Sequence, residues 1–253
     1  MRCAKIAAWI ILGGLTCVLP WTSVALDSQS GQPRRQGIKS QNEPSAAAEM
    51  PEYIPPRRSA PGGRVGASTR GRDTPPTLSP LAPDHTGLTI QEQPSLYWYL
   101  SRPTSYPVEF TIIADGARQP LLARRLSDSL RPGMQRVRLA DYGVRLSVGV
   151  PYRWSVAVVV DPDNRSRDVI AGGTIERVAP PAELRAKSAR AGKTRAPYIY
   201  AEAGLWYDAL TAISDLIDAA PEDRTLRQGR ASLLEQVGLT QIAELDLRPS
   251  RTQ

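Results

Sequence analysis

Apolar and polar residues alternate with a period of two around Trp154, and this alternation is the strongest structural signal in the chain. Arg153 and Ser155 fall on one side of an extended chain. The opposite side carries aromatic and β-branched residues, namely Tyr152, Trp154, Val156, Val158 and Val160. Such a pattern is typical of a β-strand with one face against a core. The turn 161–164, rich in Asp, Pro and Asn, follows and predicts a chain reversal.

Shorter alternating runs recur through residues 77–179 and are separated by turn residues. They lie at 96–100, 108–114, 137–139 and 169–178. Many short strands at this spacing, with no helical pattern between them, favour an antiparallel β-sandwich. The segment Leu146–Val156 resembles the late strand of immunoglobulin-like and fibronectin type III domains, in which a tyrosine near the strand start clamps the preceding turn. That resemblance implies that Tyr152 has this role here.

A helical periodicity replaces the alternation after Pro180-Pro181, and it predicts a helical segment over residues 180–247. Apolar residues recur at steps of three and four from Trp206 to Ala220, and again from Leu226 to Val237. Gly238 is a candidate C-cap, and Thr240 is a candidate cap for a last short helix. The small-residue pattern is similar to the second half of a tetratricopeptide unit, and its members are Gly204, Ala209, Ile213 and Pro221. We expect a helical hairpin packed on the sandwich, because a stable solenoid needs about three repeats.

Both ends of the chain have compositions outside the folded pattern. Arg2 and Lys5 precede a short apolar run and the small residues at 23–25, which is the pattern of a secretory signal peptide over residues 1–25. Residues 26–76 are rich in Pro, Gly and Arg and predict a disordered linker. Residues 248–253 form a tail. We expect a periplasmic or secreted protein with no membrane span once the signal is removed.

Charge and cysteine content exclude several classes of function. Cleavage of the signal would lower the net charge from +7 to +5 and would remove the only cysteines, Cys3 and Cys17. Thiol catalysis, cysteine-bound metals and a disulfide scaffold are therefore not expected. The remaining positive charge is spread along the chain, so we expect no nucleic-acid partner.

Few residues are candidates for chemistry. The only histidine, His85, lies in a loop and is interpreted as solvated. The loop 161–168 begins like a calcium site but lacks its glycine and its final glutamate, so turn chemistry is favoured and loose calcium binding stays open. Asp208 is the most interesting acid; its position at a helix start favours an interaction with the helix dipole over catalysis. The sequence predicts no catalytic residue, cofactor or metal site.

The aromatic residues supply the other candidates for binding. Trp98 is expected in the core, whereas Tyr97 and Tyr99 would form an exposed pair able to stack on sugars. Trp206 and Tyr207 are expected to attach the helices to the sheet. The candidate binding set is therefore Tyr97, Tyr99, Trp206, Tyr207 and Asp208.

Several motifs together resemble the bacterial family of exported proteins known as domain of unknown function 928. The resemblance covers residues 55–245 and is most specific from Gly204 to Leu210. The matching segments are Gly62–Gly71, Leu78–Pro83, Pro94-x-x-x-Trp98, Gly149-x-x-Tyr152-x-Trp154, Gly172-Gly173-x-Ile175-x-Arg177, Tyr200–Leu210 and Val237–Leu239. The resemblance implies export and carries no assigned activity.

Three functions remain open from the sequence. The leading hypothesis is a non-enzymatic protein-interaction or scaffold module of the cell envelope, whose partner site would be apolar helix surface left uncovered by the sandwich. One alternative is a glycan-binding module that uses Tyr97 and Tyr99. Another alternative is a hydrolase of an envelope polymer that uses a pair of carboxylates.

Overall fold

The alternating segment around Trp154 forms an interior strand of a five-stranded sheet. The computed structural model describes residues 49–56, 63–66, 76–127 and 129–248, all within one compact unit, Ala46–Gln253. The strands within these ranges are β1 (Leu78–Pro80), β2 (Gly87–Thr89), β3 (Ser95–Leu100), β4 (Val108–Ala114), β5 (Leu122–Ser127), β6 (Gly133–Arg138), β7 (Pro151–Val158) and β8 (Val169–Arg177). The helices are α1 (Ala182–Ala191), α2 (Ala196–Glu202), α3 (Trp206–Ala219), α4 (Arg224–Gln236) and α5 (Thr240–Leu247). The fold is therefore mixed, with two sheets and five helices among the described residues.

The strands form two sheets that are mainly antiparallel. The smaller sheet has the order β1-β3-β6 and the larger sheet has the order β2-β8-β7-β4-β5. Only the pair β2–β8 is parallel among the ladders of the described strands. Buried side chains from both sheets and from the helices belong to one hydrophobic core. The prediction of an antiparallel-rich β region followed by helices is thus confirmed.

The predicted register of β7 is confirmed up to Val158. Trp154 and Val156 are buried, whereas Arg153 is exposed. The alternation fails at the strand end, where Val159 is buried and Val160 is only half-buried. Val159 N–H donates to Pro107 O at 2.9 Å, one residue beyond the last pair of the β4–β7 ladder. The periodicity rule does not apply beyond the last ladder pair.

Three strands were missed because they lack an alternating pattern. β1 and β2 have three residues each, which is too short for a periodicity to be read. β5 lies at the edge of the larger sheet, and Arg124 and Arg125 within it are exposed. Charged residues on an edge strand oppose pairing with another chain. They also remove the apolar side that would have marked the strand.

The helical region matches the predicted stripe in most positions. Ile213 and Ile217 are buried in α3, but Ala220 lies beyond its end and is exposed. Gly238 follows α4 with φ of 74°, as expected for a glycine that ends a helix. Thr240 is the first residue of α5 instead of its cap, and the preceding Leu239 makes no side-chain capping bond.

Gly204 has a different role from the close helix contact expected from the tetratricopeptide pattern. It adopts φ of 73° in the turn between α2 and α3, and a Cβ there would lie 2.8 Å from Ile54 O. The close helix contact is made by Gly229 of α4, where a Cβ would lie 2.9 Å from Ile213 Cδ1. The likeness to a tetratricopeptide unit stays a prediction.

Two short segments of the predicted linker belong to the fold. Tyr53 is 5% exposed, and Ile54 N–H donates to Ala201 O at 3.1 Å. Arg64 Nη1 donates to Ala82 O at 3.2 Å and to Val237 O at 2.9 Å, which connects the sheets to the end of α4. Disorder is therefore the wrong expectation for residues 49–56 and 63–66, since hydrogen bonds and one buried aromatic ring compensate for a composition poor in aliphatic residues. The predicted signal peptide and the rest of the predicted linker lie outside the described residues, as does the tail beyond Arg248.

A buried ion pair joins the last three helices. Arg230 of α4 donates through Nε and Nη2 to the two carboxylate oxygens of Asp246 of α5, at 2.8 and 2.6 Å. Arg230 Nη1 also donates to Ser214 Oγ of α3 at 3.2 Å. Both charged side chains are less than a tenth exposed. A charge left alone at this position would be desolvated without compensation.

We therefore expect Asp246→Ala to lower the free energy of unfolding by about 3–5 kcal/mol, because Arg230 would remain buried and unpaired. Denaturant unfolding followed by circular dichroism measures the change. The double variant Arg230→Met with Asp246→Leu should recover most of the loss, since it removes both charges while keeping apolar volume. A double variant as unstable as Asp246→Ala would contradict this account.

Candidate functional site

Three consecutive residues at the start of α3 attach the helices to three separate parts of the sheets. Trp206 Nε1 donates to Leu81 O at 2.9 Å, just beyond β1. Tyr207 OH donates to Thr174 O of β8 at 3.0 Å and accepts from Trp154 Nε1 at 2.9 Å. The predicted attachment of the helices by Trp206 and Tyr207 is confirmed.

Two glycines allow close packing around Tyr207: Gly87 makes room for its ring, and Gly173 makes room for the neighbouring Ala82. A Cβ on Gly87 of β2 would lie 2.7 Å from Tyr207 Cε2, which is closer than real contacts allow. A Cβ on Gly173 of β8 would lie 2.6 Å from the Cβ of Ala82 and 3.5 Å from Tyr207 OH. Gly173 belongs to one of the family motifs in the sequence, whereas Gly87 was not singled out there, and the structure supplies the packing that requires both glycines.

Asp208 is the third attachment, and its carboxyl group is almost fully enclosed. It is 3% exposed, and its Oδ2 accepts from Ile90 N–H at 3.1 Å. Its Oδ1 is enclosed and accepts no hydrogen bond of ordinary geometry among the described residues, but the side chains of Thr89 and Gln91 lie close enough to the carboxylate to favour its charged form. Burial raises the pKa of Asp208 to about 6, because the groups that favour the charged form, at Thr89, Ile90 and Gln91, do not compensate for the loss of water.

A cleft of about 380 Å³ lies beside Asp208, between α3 and the outer face of the smaller sheet. Its walls come from the segment after β2, from β6 and from α3, and most of the residues that line it are polar although apolar atoms form more of its surface. The side chains that matter chemically are those of Gln91, Arg136, Arg138, Asp208, Thr211 and Asp215. Two acids, two arginines, an amide and a hydroxyl therefore line one concave space.

The two arginines differ in their surroundings. Arg136 donates to Asp215 Oδ1 at 2.6 Å and to Ser95 Oγ at 3.0 Å, and its guanidinium lies 5.3 Å from the centre of the Tyr97 ring. Arg138 pairs with Ser95 through its backbone, but its side chain is exposed and forms no hydrogen bond or ion pair with the other residues that the structure describes. Arg136 is thus committed to the protein, whereas Arg138 is available to a ligand.

The predicted exposed pair of tyrosines is wrong for Tyr97. Tyr97 is only 4% exposed because α3 packs over the outer face of β3, and burial raises the pKa of its hydroxyl. Tyr99 is partly exposed on the same face. Trp98 is 2% exposed and faces the core, as expected. Tyr97 therefore cannot stack on a sugar, because α3 covers it. The alternation of residues along a strand does not show that a helix will pack over one of its faces.

His85 is not the solvated loop residue that its sequence context predicts. Its Nε2 lies 2.9 Å from the hydroxyl of Tyr53, and its Nδ1 lies 3.2 Å from Asp84 Oδ1. The imidazole also stacks on the Tyr53 ring, with centroids 6.0 Å apart. Burial raises the pKa of Tyr53, which disfavours a tyrosinate nucleophile. The arrangement holds residues 49–56 against the fold.

The loop 161–168 uses its acids within the loop. Asp161 Oδ1 accepts from Asp163 N–H at 3.1 Å, which is an Asx turn. Arg165 Nε donates to Asp168 Oδ2 at 2.7 Å. These contacts agree with the interpretation as turn chemistry. Elsewhere in the described ranges, no three or more His, Cys, Asp or Glu side chains come together as metal ligands. None of the described helices has the length and apolarity to cross a membrane.

Sequence reasoning found Asp208 but missed the residues that face it across the cleft. Arg136 and Arg138 were recognised only as the polar side of a strand, and Gln91 and Thr211 were not singled out. The types and the spacing of these four residues do not form a recognisable sequence motif. The approach of α3 to β6 brings them together, and a single sequence does not encode that approach in a readable pattern.

Comparison with known proteins identifies the family. Residues 65–247 match the model of the family described as Domain of Unknown Function (DUF928). The match spans most of the chain, so this protein belongs to that family, as its motifs predicted. The curated proteins contain no match to this chain.

The Tyr207 hydroxyl should have a measurable effect on stability. Tyr207→Phe leaves Trp154 Nε1 and Thr174 O without their partner, so we expect the free energy of unfolding to fall by about 1–3 kcal/mol. Tyr142→Phe is a matched control, because Tyr142 is 39% exposed. Denaturant unfolding of both variants checks the expectation, and equal small losses would show that the hydroxyl is not an attachment point.

Asp208 should make stability depend on pH. Its pKa is higher in the folded chain than the ordinary 3.8, so the native state binds the proton more tightly than the unfolded state does. The resulting stabilisation, about 3 kcal/mol, is fully present below about pH 4 and is lost as the pH rises through about 6. The free energy of unfolding of the natural chain, minus that of Asp208→Asn, should therefore fall between pH 4 and pH 7. Asp141→Asn, which removes an exposed carboxylate, serves as the control, and a difference that stays constant with pH would exclude the shifted pKa.

Proposed function

We propose that this chain is an exported, non-enzymatic binding module of the bacterial cell envelope, and that its cleft beside Asp208 is the binding site. The observation that carries the proposal is a cleft of about 380 Å³ between α3 and the smaller sheet, into which the side chains of Arg138, Gln91 and Thr211 converge beside the buried Asp208. A concave space with a small number of converging polar groups is the usual form of a small-molecule site.

The distribution of exposed apolar side chains favours the cleft over the helices as the binding site. Among the large apolar residues that the structure describes as exposed, only Leu247 belongs to one of the five α-helices. The uncovered apolar helix face expected for docking a protein partner is therefore lacking in the described helices. A protein partner would have to use another surface.

The order of the strands supports a sandwich of immunoglobulin type. The orders β1-β3-β6 and β8-β7-β4-β5 correspond to A-B-E and G-F-C-C′ of that fold. Ser147 N–H donates to Tyr152 OH at 3.0 Å, which is the clamp expected of a tyrosine near the start of strand F. Domains of this type have many different functions, so the fold by itself does not identify a ligand.

Export rests on residues outside the described ranges. Arg2 and Lys5, the apolar run 6–18 and the small residues 23–25 form the pattern of a cleavable signal. The intact mass of the protein recovered from its own cells should therefore correspond to a chain beginning at Leu26. A mass that still includes Met1 would contradict export by cleavage.

A hydrolase is the second candidate, and one observation favours it. Asp208 and Asp215 lie seven residues apart on α3 and both line the cleft. A protonated acid and an ionised carboxylate are the pair that glycoside hydrolysis requires. Asp215, however, is held by Arg136 at 2.6 Å, and Asp208 is 3% exposed. Hydrolysis requires that water and substrate both reach the space between the two acids. Binding in the cleft requires less access to them.

Filling the cleft tests the proposed function. Ala212 lines the cleft, whereas Ala219 is exposed near the end of the same helix. We expect small polar molecules extracted from the cell envelope to raise the melting temperature of the natural chain and of Ala219→Trp, but not that of Ala212→Trp. The physical reason is that a ligand stabilises only the folded state that binds it.

Mass spectrometry of the bound molecule separates binding from catalysis. Recovery of the molecule with its mass unchanged after long incubation supports a binding module. Conversion by the natural chain, lost in Asp208→Asn, would establish the hydrolase instead. An equal melting-temperature increase in Ala212→Trp and Ala219→Trp would exclude the cleft as the site.

A further inference from the structure

The segment 49–56 lies against α2 and α4 as a bound peptide would. It forms neither helix nor strand, and one side chain of α4 holds its main chain at two points. Gln236 Nε2 donates to Pro51 O at 2.9 Å, and Gln236 Oε1 accepts from Tyr53 N–H at 2.7 Å. In the recognition of extended peptides, hydrogen bonds to the main chain supply affinity, and pockets for side chains supply specificity.

A pocket for one aromatic ring supplies the specificity here. Tyr53 is buried, and its ring meets the Trp206 ring edge-on with centroids 5.2 Å apart. The other wall of the pocket is His85, whose ring stacks on Tyr53 and whose Nε2 lies 2.9 Å from the Tyr53 hydroxyl. Both the ring and its hydroxyl therefore have partners, so a small side chain at this position would leave the pocket empty.

The ends of the segment have further contacts. Ile54 N–H donates to Ala201 O at 3.1 Å, and Tyr198 OH donates to Glu49 O at 3.0 Å. Arg195 Nη1 donates to the Glu49 carboxylate at 2.7 Å. The segment therefore occupies a groove, which we define by its members His85, Arg195, Tyr198, Ala201, Trp206 and Gln236.

The groove and its occupant are separate parts of the chain. All six groove residues lie within residues 65–247, which match the family model, whereas the segment 49–56 precedes that range. Tyr53 and Gln236 are 183 positions apart in the sequence. None of these contacts requires both parts to belong to one molecule, so the segment of another copy could form the same hydrogen bonds.

We propose that the groove is a binding site for extended segments of the form Pro-x-Tyr-x-Pro, and that its partner is the segment 49–56 of a second copy. Exchange of an identical segment between two copies preserves the contacts of the single chain, so it is a low-cost route to a dimer. Every copy carries both the segment and the groove. None of the groove residues lines the cleft beside Asp208, so this inference is independent of the proposed function.

A labelled peptide of residues 49–56 tests whether the groove binds its segment in trans. The peptide is added to the whole chain carrying Tyr53→Ala, and binding is followed by fluorescence anisotropy. We expect saturable binding at least about tenfold tighter than to the natural chain, whose own segment competes at an effective concentration of about millimolar. The peptide should also raise the melting temperature of the variant, because it binds only the folded state. Ile54→Pro, which removes the N–H that Ala201 O accepts, is a second way to weaken the segment in cis.

Two pairs of variants make the result specific to the groove. In the Tyr53→Ala chain, Gln236→Ala should weaken peptide binding by about tenfold, because two hydrogen bonds are lost. Gln228→Ala is the matched control, since Gln228 is an exposed glutamine of the same helix that forms no hydrogen bond with the segment. A peptide carrying Tyr53→Ala should not bind, whereas one carrying Ile54→Ala should bind as the natural peptide does, because the Ile54 side chain is 51% exposed.

Sedimentation of the natural chain tests the second copy as the partner. We expect a dimer whose fraction rises as the protein concentration approaches about millimolar, and which excess peptide dissociates. Tyr53→Ala should remain monomeric at the same concentrations. A natural chain that stays monomeric there, or a dimer that the peptide leaves intact, would refute exchange between copies. Failure of the peptide to bind either Tyr53→Ala or Ile54→Pro would refute the peptide site itself.

Discussion

The hydrogen-bond chain from Trp154 through Tyr207 to Thr174 holds the two halves of the fold together. It lies between the larger sheet and the first turn of α3, where Trp154 and Tyr207 are both 2% exposed or less. Buried polar groups must find partners within the protein, so the indole N–H and the carbonyl oxygen each require the Tyr207 hydroxyl. Without the Tyr207 hydroxyl, the helices would still pack on the sheets through their apolar sides. Their position there would lack the directional hydrogen bonds that fix it.

The position of α3 in turn creates the cleft. Trp206 and Asp208, on either side of Tyr207, bind Leu81 O and Ile90 N–H, so the helix start is fixed at three points. From there α3 passes over Tyr97 on the outer face of the smaller sheet without closing against β6. The gap that remains contains Arg136 and Arg138, whose charges keep it open to water. The cleft that we propose as a binding site therefore results from incomplete coverage of one sheet by one helix.

Asp208 is a costly choice if its only task is structural. An asparagine could accept from Ile90 N–H through the same oxygen and would not have to be ionised in a buried position. The raised pKa of Asp208, about 6, expresses the strain of keeping a carboxylate there. Groups with strongly shifted pKa values in a cleft are frequent at functional sites. By contrast, the buried pair of Arg230 and Asp246 has a structural explanation, because the two side chains form two hydrogen bonds with each other and Arg230 also donates to Ser214.

The sequence by itself determined the local elements and the family. Alternation around Trp154 and the three- and four-residue steps after Trp206 are direct consequences of strand and helix geometry, so both were readable from one chain. The motifs that indicated the family are also local. Even the role of Trp206 and Tyr207 as attachments followed from large aromatic side chains at a helix start.

Only the tertiary structure decided which faces are covered and which polar residues meet. Tyr97 has the pattern of an exposed residue on a strand, but α3 buries it, and no local rule specifies that a distant helix packs there. Tyr53 is buried within a Pro-rich segment for the same reason. Asp208 and Arg138 are 70 positions apart in the sequence. Their encounter depends on long-range packing, which a periodicity of two or 3.6 residues does not describe.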